Sequence, residues 1–348
     1  MRGKRRKERM ILKNATLHIG NGEVFQGDMR IADGKIVEVG KNINGDESRS
    51  LNGKHVFPGF IDSGNFLGAQ DMAFFAKDYN ENSNPVTPYL DIWHSIDPDE
   101  LSLQELYKAG ITSMLVTPGN EGILGGTCTV VKTKGKNINK ITVKRDAAMK
   151  ASMTSEVIRV FSGKGSPQTP MALIAMLKTA LQTTEYANDY RSQRTKEVMD
   201  AVREGRMPIL VACETAPEME RFLEATKEYT KMKIIFTLSY EADRCADAIK
   251  KRGAAVVLGD TSRNATHLVH RMDFAKLMNM AEDGTKVGLT VLGPNMAWGR
   301  EMLLWNASKL MQTCTNSEEI VSMLTVNPAE FFGVSDRIGQ LKAWMQTI

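Results

Sequence analysis

Histidine and cysteine are scarce in this chain, and each shortage removes a class of function. Only five histidines and four cysteines stand among 348 residues. The cysteines, Cys128, Cys213, Cys245 and Cys314, lie far apart with no Cys-x-x-Cys pair, which argues against a zinc knuckle and a redox dithiol. Reduced, mostly buried thiols are the plain expectation. No apolar run approaches the roughly 18–20 residues needed to cross a bilayer. "ILKNATLHIG" is too polar for the core of a signal peptide. A cytoplasmic location with no membrane partner is therefore expected. "PGNEGILGG" is rich in glycine but lacks the lysine and hydroxyl of a phosphate loop.

What remains is the composition of an ordinary enzyme-sized globular protein. Hydrophobic residues make up 42% and charged residues 25%, and the length suits one barrel-sized domain plus a smaller one. The net charge is +4, but it is unevenly placed. Residues 1–9 hold six Lys/Arg against one Glu, a balance of +5, which leaves the rest of the chain at −1. Residues 1–10 read as a solvated, disordered basic tail, and Met10 is an alternative start. The body of the chain is not basic, so no nucleic-acid partner is expected.

Two textures follow the tail. Residues 11–57 read as a small β domain, in which "MRIADGKIVEV" alternates around the turn pair Asp33-Gly34. From residue 58 to about 335 short apolar runs alternate with amphipathic stretches. The strand candidates are "GFIDSG", "ITSMLVT", "TVVKTK", "AAMKASM", "PILVAC", "KIIFTLS", "AAVVLGD" and "VGLTVLG". Helical stretches include "PMALIAMLKTALQTTEY", "APEMERFLEATKEYT" and "EADRCADAIKKRG", the last with Gly253 placed as a C-cap. The pattern predicts an α/β fold built as a closed parallel (β/α)8 TIM-type barrel, with a doubly wound open sheet as the alternative. Reactive side chains then belong at the C-terminal ends of the strands.

Several segments, taken in order, resemble the amidohydrolase superfamily and in particular its imidazolonepropionase-like branch. They are "GKHVFPGFID", "NPVTPYLDIWHSIDPDE", "KAGITSMLVTPGNEGILGG", "AAMKAS" and "TVNPAEFFGVSDRIGQL". The resemblance covers nearly the whole chain from residue 11. It implies a barrel joined to a small β-sandwich made from both chain ends. It also implies zinc or another divalent metal that activates water against C–N bonds, commonly in cyclic amides.

The same alignment shows what has been exchanged. Family metal-ligand positions fall on Ser63 and Asn65, where a His-x-His pair is expected, on Leu238 for a histidine, and on Leu292 for an aspartate. The fifth-strand histidine position falls within Ala212, Cys213 and Glu214, and an acidic position falls near Ser155 or Glu156. Neutral oxygens and aliphatic carbons bind zinc far more weakly than imidazole. No cofactor and no metal are therefore expected. His18 and His55 belong to the small domain and His94 to a loop. His267 and His270 share a helix face, where exposed or capping histidines are the plain reading and a relocated metal site with Asp260 or Asp243 the sharper one.

Other pocket candidates carry two readings each. Glu214 beside Cys213 is either a base with its nucleophile or a polar rim residue beside a buried thiol. Lys150 either points into the barrel, where such a lysine can be carboxylated and bridge metals, or is a surface or pocket ammonium. Arg263, with Thr261 and Ser262, either binds an anionic group or lies in a polar loop. Residues 336–348 read as a truncated return toward the sandwich, which would leave residues 11–57 with an exposed sheet edge or completed by another subunit. Two functions are weighed. The first is a catalytically silent homologue that keeps a small-molecule pocket, or pairs with itself or an active paralogue. The second is a C–N hydrolase with an unorthodox site.

Overall fold

The computed structural model describes residues 9–45, 47–70, 77–259, 272–291 and 302–345. Strands β1 (Arg9–His18), β2 (Val24–Ala32), β3 (Lys35–Gly40), β4 (Ser48–Ser50) and β5 (His55–Val56) form one sheet, ordered β3-β2-β1-β4, with β5 also paired to β1. The β2–β3 hairpin closes as expected. Ala32 faces Lys35 across Asp33-Gly34, and both turn residues carry positive φ, 51° and 72°. Ala15, Leu17, Ile19, Met29 and Ile36 pack beneath this sheet together with Leu341 and Met345.

That last contact corrects the expectation of an uncovered edge. Ile36, on edge strand β3, donates its N–H to Met345 O at 3.0 Å and accepts from Trp344 N at 2.6 Å. The residues near the end of the chain thus pair with the small sheet over a short stretch. Among the described residues this domain holds one sheet.

The larger sheet contains eight strands in sequence order: β6 (Phe60–Asn65), β7 (Ile111–Val116), β8 (Leu124–Lys132), β9 (Thr142–Ser152), β10 (Ile209–Ala212), β11 (Ile234–Thr237), β12 (Ala255–Leu258) and β13 (Val287–Leu289). All eight expected strands are present. The expectation of a wholly parallel barrel is not met, because β8 runs antiparallel to both β7 and β9. The reason is chain length. Only seven residues link β7 to β8, too few for the crossover that a parallel pair requires, which takes about a dozen.

Helices α1 (Leu101–Lys108), α2 (Ile138–Ile141), α3 (Ser155–Phe161), α4 (Pro170–Gln182), α5 (Tyr190–Arg203), α6 (Ala216–Ala225), α7 (Ala246–Arg252) and α8 (Phe274–Glu282) lie between these strands. Helices α9 (Met302–Met311), α10 (Ser317–Leu324) and α11 (Val326–Phe331) follow them. Local signals account for their ends. Thr169 accepts from Ala172 N with Pro170 opening α4, and Gly253 ends α7 at φ 66°.

The sheet curls into a nearly closed barrel. Its first and last strands are joined by Asp62, whose Oδ2 accepts from Val291 N at 3.1 Å and whose Oδ1 lies 2.7 Å from Thr290 Oγ1. The open-sheet alternative is thereby set aside. Alternation sends Ile61, Leu115, Ala148, Leu210, Ile235 and Val257 into one interior cluster. Their neighbours Met114, Val116, Met149, Val211 and Phe236 pack outward against the helices. The N-terminal end of the barrel is sealed by Ala329, Phe332, Val334 and Ile338, with Asn327 Nδ2 donating to Val287 O at 2.8 Å. Chemistry is left with the opposite end. Among the described residues no helix is long and apolar enough to cross a membrane.

Candidate functional site

The C-terminal ends of the strands present uncharged polar side chains and one lysine to the barrel interior. Ser63 and Asn65 share strand parity with the interior residue Ile61, Thr117 with Leu115, Thr237 with Ile235, and Lys150 with Ala148. All five are buried. Asn65 Oδ1 accepts from Leu67 N at 2.8 Å, which turns its amide nitrogen away from its own loop. Ser63 Oγ, Thr117 Oγ1 and Thr237 Oγ1 have no hydrogen-bond partner among the described residues, while the Asn65 amide acts on the Asp62 carboxyl, whose pKa burial raises and this amide pulls down. Leaving a buried polar atom unpaired costs about 1–3 kcal/mol, so three hydroxyls at the strand ends mark a place able to meet something polar.

Lys150 is paired in register with Leu210 on one neighbouring strand and Gly126 on the other. Its Nζ donates to Asn120 Oδ1 at 2.6 Å and to Ala151 O at 3.1 Å, both neutral acceptors. Burial lowers its pKa from 10.5 to about 8, against smaller upward pulls from Cys128, Cys213 and Glu156. Its burial rules out a surface ammonium and is compatible with both an inward lysine and a pocket ammonium.

Glu214 and Cys213 do not form a nucleophile–base pair. The Cys213 thiol is fully buried, and burial pushes it well above its ordinary value, so the reactive thiolate is suppressed. Glu214 is partly exposed and is pushed up to about 7, first by burial and then by the negative fields of Glu218 and Glu156. Its backbone N–H is held by Glu218 Oε2 at 2.7 Å at the start of α6. Glu156, at the start of α3, pairs with Arg159 at 3.2 Å.

Leu238 follows β11 with φ 64°. A left-handed backbone at a branched aliphatic residue is strained by roughly 1–2 kcal/mol, and here it coincides with a position that the resemblance assigns to a metal ligand. Arg263, His267 and Leu292, with His270 and Asp260, lie outside the described residues. Asp243 is described and half-buried, its carboxyl raised chiefly by burial. His18 and His55 are in the small sheet as expected, their ring nitrogens 2.7 Å apart, with His18 Nδ1 2.7 Å from Glu318 Oε1. Sequence reasoning assigned no role to Asp62, Asn120, Thr117 or Thr237. Position at a strand end was the one signal that pointed to the last two.

The donor chemistry decides how a divalent metal would fare. Ser63 offers a hydroxyl, Asn65 an amide and Leu238 nothing, and among the described residues no three His, Cys, Asp or Glu side chains lie together in a metal-holding group. These groups do not fit a tightly held zinc ion.

No family model and no curated protein matches this chain. Solved structures do. An amidohydrolase from Thermotoga maritima MSB8 superposes with a TM-score of 0.87 at 22% identity, over 97% of this chain and 92% of that one. A Xaa-Pro dipeptidase with bound methionine in its active site gives a TM-score of 0.56 at 11% identity, over 97% of this chain and 92% of that one. Molinate hydrolase gives 0.54 at 13%, over 98% of this chain and 88% of that one. The fold is that of an amidohydrolase. At such identities the likeness speaks for architecture alone, and what this amidohydrolase-like barrel does must be argued from its own side chains.

Proposed function

We propose that the chain is an amidohydrolase homologue, of the imidazolonepropionase-like branch by its motifs, that binds a small uncharged molecule at the barrel mouth and does not perform metal-assisted hydrolysis. One observation carries this reading. Where the resemblance places three imidazoles, the described residues Ser63, Asn65 and Leu238 present a hydroxyl, an amide and an aliphatic side chain, and unpaired hydroxyls stand at further strand ends. A divalent ion in low dielectric needs anionic or imidazole donors to offset its dehydration. A hydroxyl-bearing neutral ligand asks only for hydrogen bonds, which Ser63, Asn65, Thr117 and Thr237 are placed to give.

Elemental analysis of protein grown with zinc and manganese available tests the first half. Substoichiometric metal is expected, and one firmly held ion per chain would overturn the reading. Thermal-shift measurement with uncharged polyols and amides tests the second. A saturable rise in melting temperature with at least one of them supports a neutral-ligand pocket.

A further inference from the structure

Lys150 is the one fully buried ammonium in the barrel interior among the described residues, and the neutral-pocket reading leaves it without a task. An ammonium is costly to bury, and its usual compensation is a carboxylate. Here both hydrogen-bond acceptors are uncharged, Asn120 Oδ1 and the Ala151 carbonyl. Ser63, Asn65, Thr117 and Thr237 also face the barrel interior at strand ends, each buried, and the three hydroxyls are unpaired. An amine among unpaired hydroxyls and an amide, under a half-exposed asparagine, is an arrangement for meeting a polar carbonyl compound.

Resting on the reading of the mouth as a neutral-ligand pocket, we propose that Lys150 is a carbonyl-reactive amine and that the ligand is a small uncharged hydroxy-aldehyde or hydroxy-ketone, held as an imine. The Nζ lone pair attacks the carbonyl carbon to give a carbinolamine. The carbon–oxygen bond then breaks, the oxygen leaves as water with both amine hydrogens, and the carbon–nitrogen double bond forms. No electron is transferred, and water reverses the step. The ligand's hydroxyls fall to Ser63, Asn65, Thr117 and Thr237. Charge selects against 2-oxo acids and sugar phosphates. Of the groups that act on Lys150, Glu156 is acidic and Cys128 and Cys213 are thiols that burial keeps protonated, so an anionic ligand would find no second cation among them.

Lowering the amine to about 8 makes the step feasible. Near neutral pH roughly two-hundredfold more of it is uncharged than of an exposed lysine, and its lower basicity takes back part of that advantage. The full-length protein is incubated with dihydroxyacetone and sodium cyanoborohydride, which reduces the imine to a stable secondary amine, and is then mapped by peptide mass. The expected result is an adduct at Lys150 that forms roughly tenfold faster than at exposed lysines, with a rate that rises around pH 8. Asn120→Ala, which removes the cover, should accelerate it. Lys150→Met and Lys150→Arg, both checked for an unchanged fold by circular dichroism, should lose it. Label spread over surface lysines with Lys150 unmodified overturns the proposal. Glycerol, which has no carbonyl, separates the two levels of argument. If glycerol raises the melting temperature while Lys150 stays unlabelled, the pocket stands and the imine falls. If neither glycerol nor dihydroxyacetone has any effect, both fall.

Discussion

Replacing Asp62 by asparagine tests whether the barrel is closed by a carboxylate. Asp62 is fully buried, and its two oxygens receive Gly64 N at 3.0 Å, Val291 N at 3.1 Å and the Thr290 hydroxyl at 2.7 Å. The last two come from beyond the final strand, so this side chain spans the seam between β6 and β13. Asparagine keeps the size and one acceptor oxygen, but sets an NH2 group against a backbone N–H. One hydrogen bond is lost and buried donors are left facing each other, a loss of about 2–4 kcal/mol. Relief from burying a charge returns part of it, so a net deficit of about 2 kcal/mol is expected at neutral pH. The pH dependence carries the sign. Burial raises the Asp62 carboxyl above its ordinary 3.8. The native state therefore keeps the proton longer than the unfolded chain, and parent stability declines as pH climbs through that window. The asparagine variant has no such slope at this site, so its deficit is largest at acid pH and narrows upward. Urea melts followed by circular dichroism at several pH values measure both quantities. A variant within about 0.5 kcal/mol of the parent at neutral pH, or a deficit that widens with pH, would refute this account of the seam.

Lys150→Met should raise stability at neutral pH and remove a slope at alkaline pH. The parent amine loses its proton near 8 when folded and near 10.5 when unfolded, so parent stability grows through that window by up to about 3 kcal/mol, as denaturant melts across it would report. The double variant Ser63→His with Asn65→His should not gain metal binding, and should lose about 1–3 kcal/mol of stability. Isothermal titration with zinc and thermal melts check the two parts. Deleting residues 341–348 removes Leu341 and Met345 from the small-sheet core and the Trp344 and Met345 bonds to Ile36. Faster hydrogen exchange confined to β1–β3, with barrel amides unchanged, is the expected outcome.

Element type was legible in this sequence and element direction was not. The eight apolar runs from "GFIDSG" to "VGLTVLG" each became a barrel strand, because a strand buried on both faces must be apolar nearly throughout. Gly253 and Asp33-Gly34 announced their positive φ in advance. The antiparallel β8 escaped because hydrophobic pattern has no sense of direction. The information lay in loop length, since the segment 117–123 has no room for a helix. At the site, the motifs alone showed that Ser63, Asn65 and Leu238 stand at positions the resemblance gives to metal ligands. The unpaired hydroxyls of Thr117 and Thr237 were not legible in them, since threonine suits any strand and only assembled neighbours show whether its oxygen is answered.

The surroundings of Ser63 limit what could stand at its position. A Cβ placed on Gly288 would sit 2.7 Å from Ser63 Oγ and 2.9 Å from the Phe331 ring, so β13 approaches β6 here as only glycine allows. An imidazole at position 63 would have to displace that strand or the ring beneath it, and close-packed interiors yield to such overpacking at a cost of about 1–3 kcal/mol. The Ser63 hydroxyl is itself unpaired. On the reading proposed above, the unpaired hydroxyls at the strand ends, above an interior of isoleucine, leucine and valine, are what a polar guest would satisfy, since each unpaired buried oxygen costs stability and a methyl group would not.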